Sequence, residues 1–387
     1  MTPKPFKIEI PQATLDTIKE KVRAYDWHEM PRGSGLEGSW AYGANLDFMR
    51  ELCTYWVERY GWRRWEAELN RFPQFTAKVE DIDIHFYRVD GSGPTPRPLI
   101  LSHGWPGSVF EFLHIIEPLA HPERFGGDAK DGFTVIVPSL PGYGFSGKPT
   151  RPISPRSIAR LFDKLMVDEL NLPGYIAQGG DWGSAVSGWL GYDGKGCAAV
   201  HMNMMGWRSP GVVPETEEER CQAESARQLF EAEGAYFREQ STKPQTLSYA
   251  MMDSPVGACA WIVEKFHGWS DIRRGFDKVY TKDQLLTNVM IYLVTRSFNT
   301  ATWLYRGLFE DLSGTPVPPK SRIERPVGIA KFPIDVIPFP PRSLVERNMN
   351  VVRWTQFAEG GHFAALERPQ ELIDDIRAFT RALPPSA

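Results

Sequence analysis

Between Leu99 and Val200 short apolar runs alternate with amphipathic stretches, and that alternation leaves few architectures open. Leu99-Ile100-Leu101, Val135-Ile136-Val137 and Tyr175-Ile176-Ala177 are bounded by turn residues, as strands buried on both faces of a parallel sheet are. Ala198-Ala199-Val200 reads as one more. Between them, Ile158, Leu161, Phe162, Leu165, Met166 and Leu170 make one helical stripe. Ser154-Pro155 opens it, a capping residue followed by proline at the first helical position. Strands joined through helices predict an α/β fold with a doubly wound, mostly parallel sheet.

The flanks differ. Leu15, Ile18, Val22 and Tyr25, then Leu46, Met49, Cys53, Trp56, Val57 and Tyr60, recur at helical spacing, with a loop around Gly33, Ser34, Gly35 and Gly38 between them. Val79, Ile82, Ile84 and Phe86 switch to strand alternation. From about Trp207 to the stiff Pro316-Val317-Pro318-Pro319 linker the chain is helical and aromatic, before strands return at Val327–Ala330 and Val351–Trp354. A closing helix carries Leu366, Leu372, Ile373, Ile376 and Phe379. We therefore divide the 387 residues into an N-terminal extension (1–75), a first core segment (76–206), a helical lid (207–320) and a second core segment (321–387). A helical block between sheet strands belongs over the carboxyl edge, where α/β sheets bind ligands.

Composition narrows the function. With 44 Lys+Arg against 48 Asp+Glu the net charge is −4, which lacks the basic footprint of a general nucleic-acid binder. Cys53, Cys197, Cys221 and Cys259 form no CxxC pair, so free thiols are expected. Neither a signal-peptide core nor a membrane-length apolar run is present, and we expect a soluble, cytoplasmic protein without membrane partners. The eight histidines make no metal-ligand cluster, so no metal or other cofactor is expected.

Chemistry concentrates at Gly179-Gly180-Asp181-Trp182-Gly183, between a strand and a helical stretch. This is the nucleophile elbow of an α/β-hydrolase fold with Asp181 where Ser is common, and no GxSxG occurs elsewhere. Taken alone it reads equally as a glycine turn with Asp capping a helix. The surroundings break the tie. His103-Gly104-Trp105-Pro106 follows the first core strand, where this fold supplies an oxyanion-hole donor; the N–H groups of Trp105 and Trp182 would converge on one oxygen. His362, behind Gly360-Gly361, occupies the late position of the base. Asp335, in Phe332-Pro333-Ile334-Asp335, comes between nucleophile and base, where the acid that orients the imidazole belongs. Glu359 competes for that role but lies too near His362 in the chain. His103 itself reads as structural.

Other matches fail. Gly142-Tyr143-Gly144-Phe145-Ser146-Gly147 spells a dinucleotide fingerprint, yet Pro149 and Pro152 block the helix it must open. His28-Glu29 lacks the second histidine of a zincin motif.

These residues resemble the microsomal-type epoxide hydrolases, including their soluble bacterial and fungal members. The resemblance covers nearly the whole chain: the extension around Phe6–Pro11, Trp27 and Tyr55–Trp65, HGWPGS at His103–Ser108, PGYGFS at Pro141–Ser146 and GGDWG at Gly179–Gly183. Lid segments at Ser241–Pro244, Asp253–Phe266 and Leu285–Asn288 are similar too. The resemblance implies two lid tyrosines that donate to an epoxide oxygen, falling by motif on Tyr236 and Tyr305. It also implies Asp335 as the acid, a small hydrophobic epoxide as substrate, and a homodimer. Ile334 and Val336 depart from the family pattern around that acid, and we expect no counterpart of the membrane anchor of the animal members.

The implied reaction converts an epoxide to a vicinal diol through an ester on Asp181, hydrolysed by water that His362 activates. A haloalkane or haloacid dehalogenase with the same Asp-His-Asp set is the first alternative. A non-catalytic α/β-hydrolase-like binding protein is the second.

Overall fold

The computed structural model describes residues 3–32 and 38–383. Of the loop read between the first two helices, Gly33, Ser34 and Gly35 lie outside the described residues, while Gly38 sits in a turn.

Among the described residues nine strands form one sheet: β1 (Lys4–Phe6), β2 (Gln74–Val79), β3 (Ile82–Val89), β4 (Arg97–Ser102), β5 (Phe133–Pro138), β6 (Tyr175–Gly179), β7 (Cys197–Met202), β8 (Ile323–Lys331) and β9 (Met349–Gln356). Their order is β1-β2-β3-β5-β4-β6-β7-β8-β9. The first three pairings are antiparallel and the remaining five parallel. After β4 the chain adds β5 on one side and then β6 on the other. The switch point therefore lies between β4 and β6, and a crevice opens beyond their carboxyl ends. The α/β-hydrolase elbow and the HGWP turn both leave the sheet there.

The apolar runs make the central layer. Leu99, Ile100, Leu101, Val135, Ile136, Val137, Ile176 and Ala177 are all buried, as strands covered on both faces require. Helices flank them on either side. Helix Pro155–Lys164 starts at Ser154, whose side chain accepts from Ser157 N, and passes into a π-turn over Leu165–Glu169. Helix Asp181–Asp193 follows β6 directly. Helix Pro369–Arg381 buries Leu372, Ile373, Ile376 and Phe379. Leu366 belongs instead to a separate turn, Ala364–Glu367, because Pro369 cannot continue a helix from the residues before it.

Helices from Glu217 to Glu310 are inserted between β7 and β8. Asn288, on helix Lys282–Val294, donates to Pro106 O at 2.7 Å and accepts from Ser108 Oγ at 2.8 Å. Tyr292, one turn on, donates to Gly107 O at 2.7 Å. The same helix is held on its far side by the N-terminal segment, through Tyr55 to Asp283 at 2.9 Å and Tyr60 to Thr287 at 3.1 Å. A continuous chain of contacts thus runs from the N-terminal helices to the turn after β4. Among the described residues no helix is long and apolar enough to cross a membrane.

Candidate active site

Asp181 takes φ +48°, a left-handed conformation that a non-glycine residue adopts at a cost of about 1–3 kcal/mol. The sharp turn lifts its carboxylate out of the sheet at the start of a helix. The turn also brings the backbone very close to β4: a Cβ on Gly183 would lie 1.8 Å from Ser102 O, so only glycine fits there.

Three segments converge on that carboxylate. Trp105, beside the cis peptide bond to Pro106, donates its N–H to Asp181 Oδ1 at 2.8 Å. His362 Nε2 lies 3.2 Å from Asp181 Oδ2, and His362 Nδ1 is 2.9 Å from Asp335 Oδ1. Asp335 Oδ1 also accepts from Ile337 N at 3.2 Å, which fixes the carboxylate in the turn after β8. His362 is anchored from the lid side, its N–H bonded to Trp269 O at 3.0 Å. The Trp182 N–H belongs to the first turn of its helix, where amides have no intrahelical acceptor. Glu359 turns away and pairs with Arg274 and Arg368.

Charge sets the protonation states. Burial alone would push the His362 imidazolium down. The Asp335 and Asp181 carboxylates outweigh it and hold His362 well above its ordinary value.

Aromatic rings from the lid roof the carboxylate. Tyr236 stacks on Trp105 with centroids 5.4 Å apart, and Tyr305 meets Trp105 edge-on at 5.8 Å and Trp182 at 4.8 Å. The two tyrosines contact each other, centroids 6.1 Å apart. Burial pushes both phenols well above their ordinary value; the Asp181 charge adds to the rise at each, after Asp181's own neighbour Tyr236 in the case of Tyr305. Both therefore stay protonated across the physiological range. The structure thus brings Asp181, His362, Asp335, Trp105, Trp182, Tyr236 and Tyr305 into one site.

His103 has a different task. It is buried, pushed down to about 4 by that burial, and its Nε2 accepts from Leu140 N at 3.1 Å. The Gly142–Gly147 stretch forms tight turns, and Gly142 O accepts from Thr300 of the lid. Among the described residues no group of three or more His, Cys, Asp or Glu is placed to hold a metal ion.

One site residue escaped the sequence reading. Glu111 reaches the floor beneath Asp181 and His362. The only signal was a lone acid inside an apolar run, Val109-Phe110-Glu111-Phe112-Leu113, where a charge has no solvent face to occupy.

Comparison with known proteins places the chain among related sequences and structures. Residues 3–112 match the family described as epoxide hydrolase N terminus, and residues 97–205 match the alpha/beta hydrolase fold family. The chain is 31% identical to epoxide hydrolase 1 of Sus scrofa, over 97% of its own length and 88% of that protein. It is 34% identical to an epoxide hydrolase of Aspergillus niger of known structure, with a TM-score of 0.85 over 98% of this chain and 96% of the other. The structure of juvenile hormone epoxide hydrolase from the silkworm Bombyx mori is 28% identical, with a TM-score of 0.83 over 98% and 94% of the two chains.

Proposed function

The chain belongs to the epoxide hydrolase family, and on that premise we propose that it opens a small hydrophobic epoxide to a vicinal diol through a covalent ester on Asp181. The observation that carries the reading is a carboxylate, rather than a hydroxyl, at the elbow, held between the Trp105 N–H and His362. A carboxylate is ionised without help from a base, and it suits attack on a tetrahedral carbon.

With Oδ1 bonded to Trp105, Oδ2 is the attacking oxygen. It forms a bond to an epoxide carbon while the carbon–oxygen bond of the ring breaks. The alkoxide takes a proton from Tyr236 or Tyr305, both well protonated and set over the carboxylate. Phenol donors suit an oxygen leaving group that needs a proton.

In the second half, His362 Nε2 takes a proton from water as its oxygen attacks the Asp181 carboxyl carbon. Asp335 stabilises the resulting imidazolium. The Trp105 and Trp182 amides bind the oxyanion, each such donor being worth about 3 kcal/mol. Collapse breaks the alkyl ester, the departing diol oxygen takes the proton from His362, and the proton left on Asp181 restores the tyrosine.

Diol formation from styrene oxide by the wild-type chain, and its loss in Asp181→Ala, tests the reading. Halide release from haloalkanes without diol formation would contradict it. The proposal extends to a homodimer, tested by light scattering: the expected mass is twice the 43.9 kDa of one chain.

A further inference from the structure

The backbone that carries His362 has little stiffness of its own. Gly360 and Gly361 precede the base, and Gly360 takes φ +103°. Asp335 holds only the imidazole, through Nδ1 at 2.9 Å, so the reach of Nε2 toward Asp181 depends on where that backbone sits.

The hold on the backbone comes from outside the segment. Gly360 N donates to Asp271 Oδ2 at 2.9 Å. In return Asp271 N donates to Glu367 Oε2 at 2.8 Å, while Glu367 Oε1 accepts from Phe363 N at 2.9 Å. Asp271 follows helix Pro255–Trp269 of the inserted segment, and Glu367 ends the turn Ala364–Glu367 of the core. Each carboxylate thus accepts an amide from the other's side, and the two bonds bracket the one from His362 N to Trp269 O. Arg273 closes the frame, donating to Asp271 Oδ1 at 2.6 Å and to Ala358 O at 2.9 Å. Gly361 lets the two sides meet, because a Cβ there would fall 2.8 Å from both Asp271 N and Glu367 Oε2. Burial pushes the Glu367 carboxyl up to about 7, against the pull of its two amides, so above neutral pH both of its oxygens are free to accept. The mechanism above gives neither carboxylate a part.

We propose that Glu367 and Asp271 are positioning residues for His362, a reciprocal clamp that sets the backbone of the base against the lid for ester hydrolysis. The inference rests on the covalent reading of Asp181. Alkylation draws on Asp181 and the two tyrosines, none of which the clamp bonds. Hydrolysis needs His362 Nε2 in place over the water, and a misplacement of about 1 Å costs about 10²-fold. The clamp itself exchanges no proton.

Single-turnover stopped flow with styrene oxide above neutral pH, followed by intact-protein mass spectrometry, separates the two steps in wild type and three variants. Glu367→Gln keeps the shape but turns an amino group toward an amide donor. Asp271→Asn weakens the reciprocal bond, and Gly361→Ala keeps both charges while forcing the two sides apart. Each is expected to alkylate within about twofold of wild type and to hydrolyse its ester about 10–100-fold more slowly, so that the adduct accumulates. Wild-type ester hydrolysis in Glu367→Gln overturns the proposal. An equal loss of both steps in the variants overturns it too, because a contact that merely stabilises the fold weakens them together. If no protein carries an adduct, His362→Gln included, the covalent reading itself fails and takes this inference with it.

Discussion

The amide of Trp105 donates to Asp181 Oδ1 at 2.8 Å across 76 residues of sequence. The same donor that would bind the oxyanion of a tetrahedral intermediate therefore already orients the nucleophile. One carboxylate oxygen is fixed by the Trp105 amide, and the other lies 3.2 Å from His362 Nε2, where the proposed mechanism has it attack.

Removing the base should separate the steps. His362→Gln is expected to alkylate and then stall, with the substrate mass added to the chain and mapped to the peptide containing Asp181. Its turnover should fall by about 10⁴-fold or more, as in other triads. Intact-protein mass spectrometry after mixing with styrene oxide reads the outcome. An unmodified chain would contradict the assignment of His362.

In the proposed mechanism the tyrosines act in the other half. Changing both Tyr236 and Tyr305 to Phe should slow alkylation by about 10²–10⁴-fold, the usual contribution of general acid catalysis. Hydrolysis of ester already formed should change little, and each single variant should fall between. Rapid-quench measurement of adduct formation and decay checks both rates.

The pH dependence follows from the two carboxylates facing His362. Both raise its folded-state value, so the protonated ring stabilises the fold below the ordinary histidine range, and this contribution fades as pH rises through the folded value. Only the neutral ring is a base, so hydrolysis should rise with pH. Alkylation removes the charge of Asp181 and one cause of the elevation. The hydrolytic limb should therefore titrate lower than His362 does in the free enzyme. Asp181→Asn mimics that neutralisation, and ¹⁵N NMR of the imidazole should show His362 titrating lower in it than in wild type.

Asn288 tests whether the lid helix holds the oxyanion turn. Asn288→Ala removes the donor to Pro106 O and the acceptor of the Ser108 hydroxyl proton in a buried site, at a cost of about 1–3 kcal/mol. Chemical denaturation should show that loss, and ester hydrolysis should slow more than alkylation because the Trp105 amide loses its support. A variant with wild-type stability and hydrolysis would refute the link.

The central strands β4, β5 and β6 were legible in the sequence because each carries a short apolar run buried on both faces. The convergence of Asp181, His362 and Asp335 was legible because each follows a strand in the chain order that this fold uses for its site residues. Strand β1 was not: Lys4–Phe6 is three residues long with a proline inside, and only its pairing with β2 makes it a strand. Tyr236 and Tyr305 came from family resemblance alone, since nothing local separates them from other lid aromatics packed as core. Glu111 went unread because its partners, Gly107, His362 and Asp181, are assembled only when the β4 turn, the elbow and the C-terminal segment meet.

A single turnover in ¹⁸O-water, with enzyme in excess over styrene oxide, tests the covalent ester most directly. The account predicts that the heavy oxygen enters the Asp181 carboxylate, found by peptide mapping, while the diol from that first turnover carries none. Heavy oxygen in the diol with an unlabelled Asp181 would contradict it.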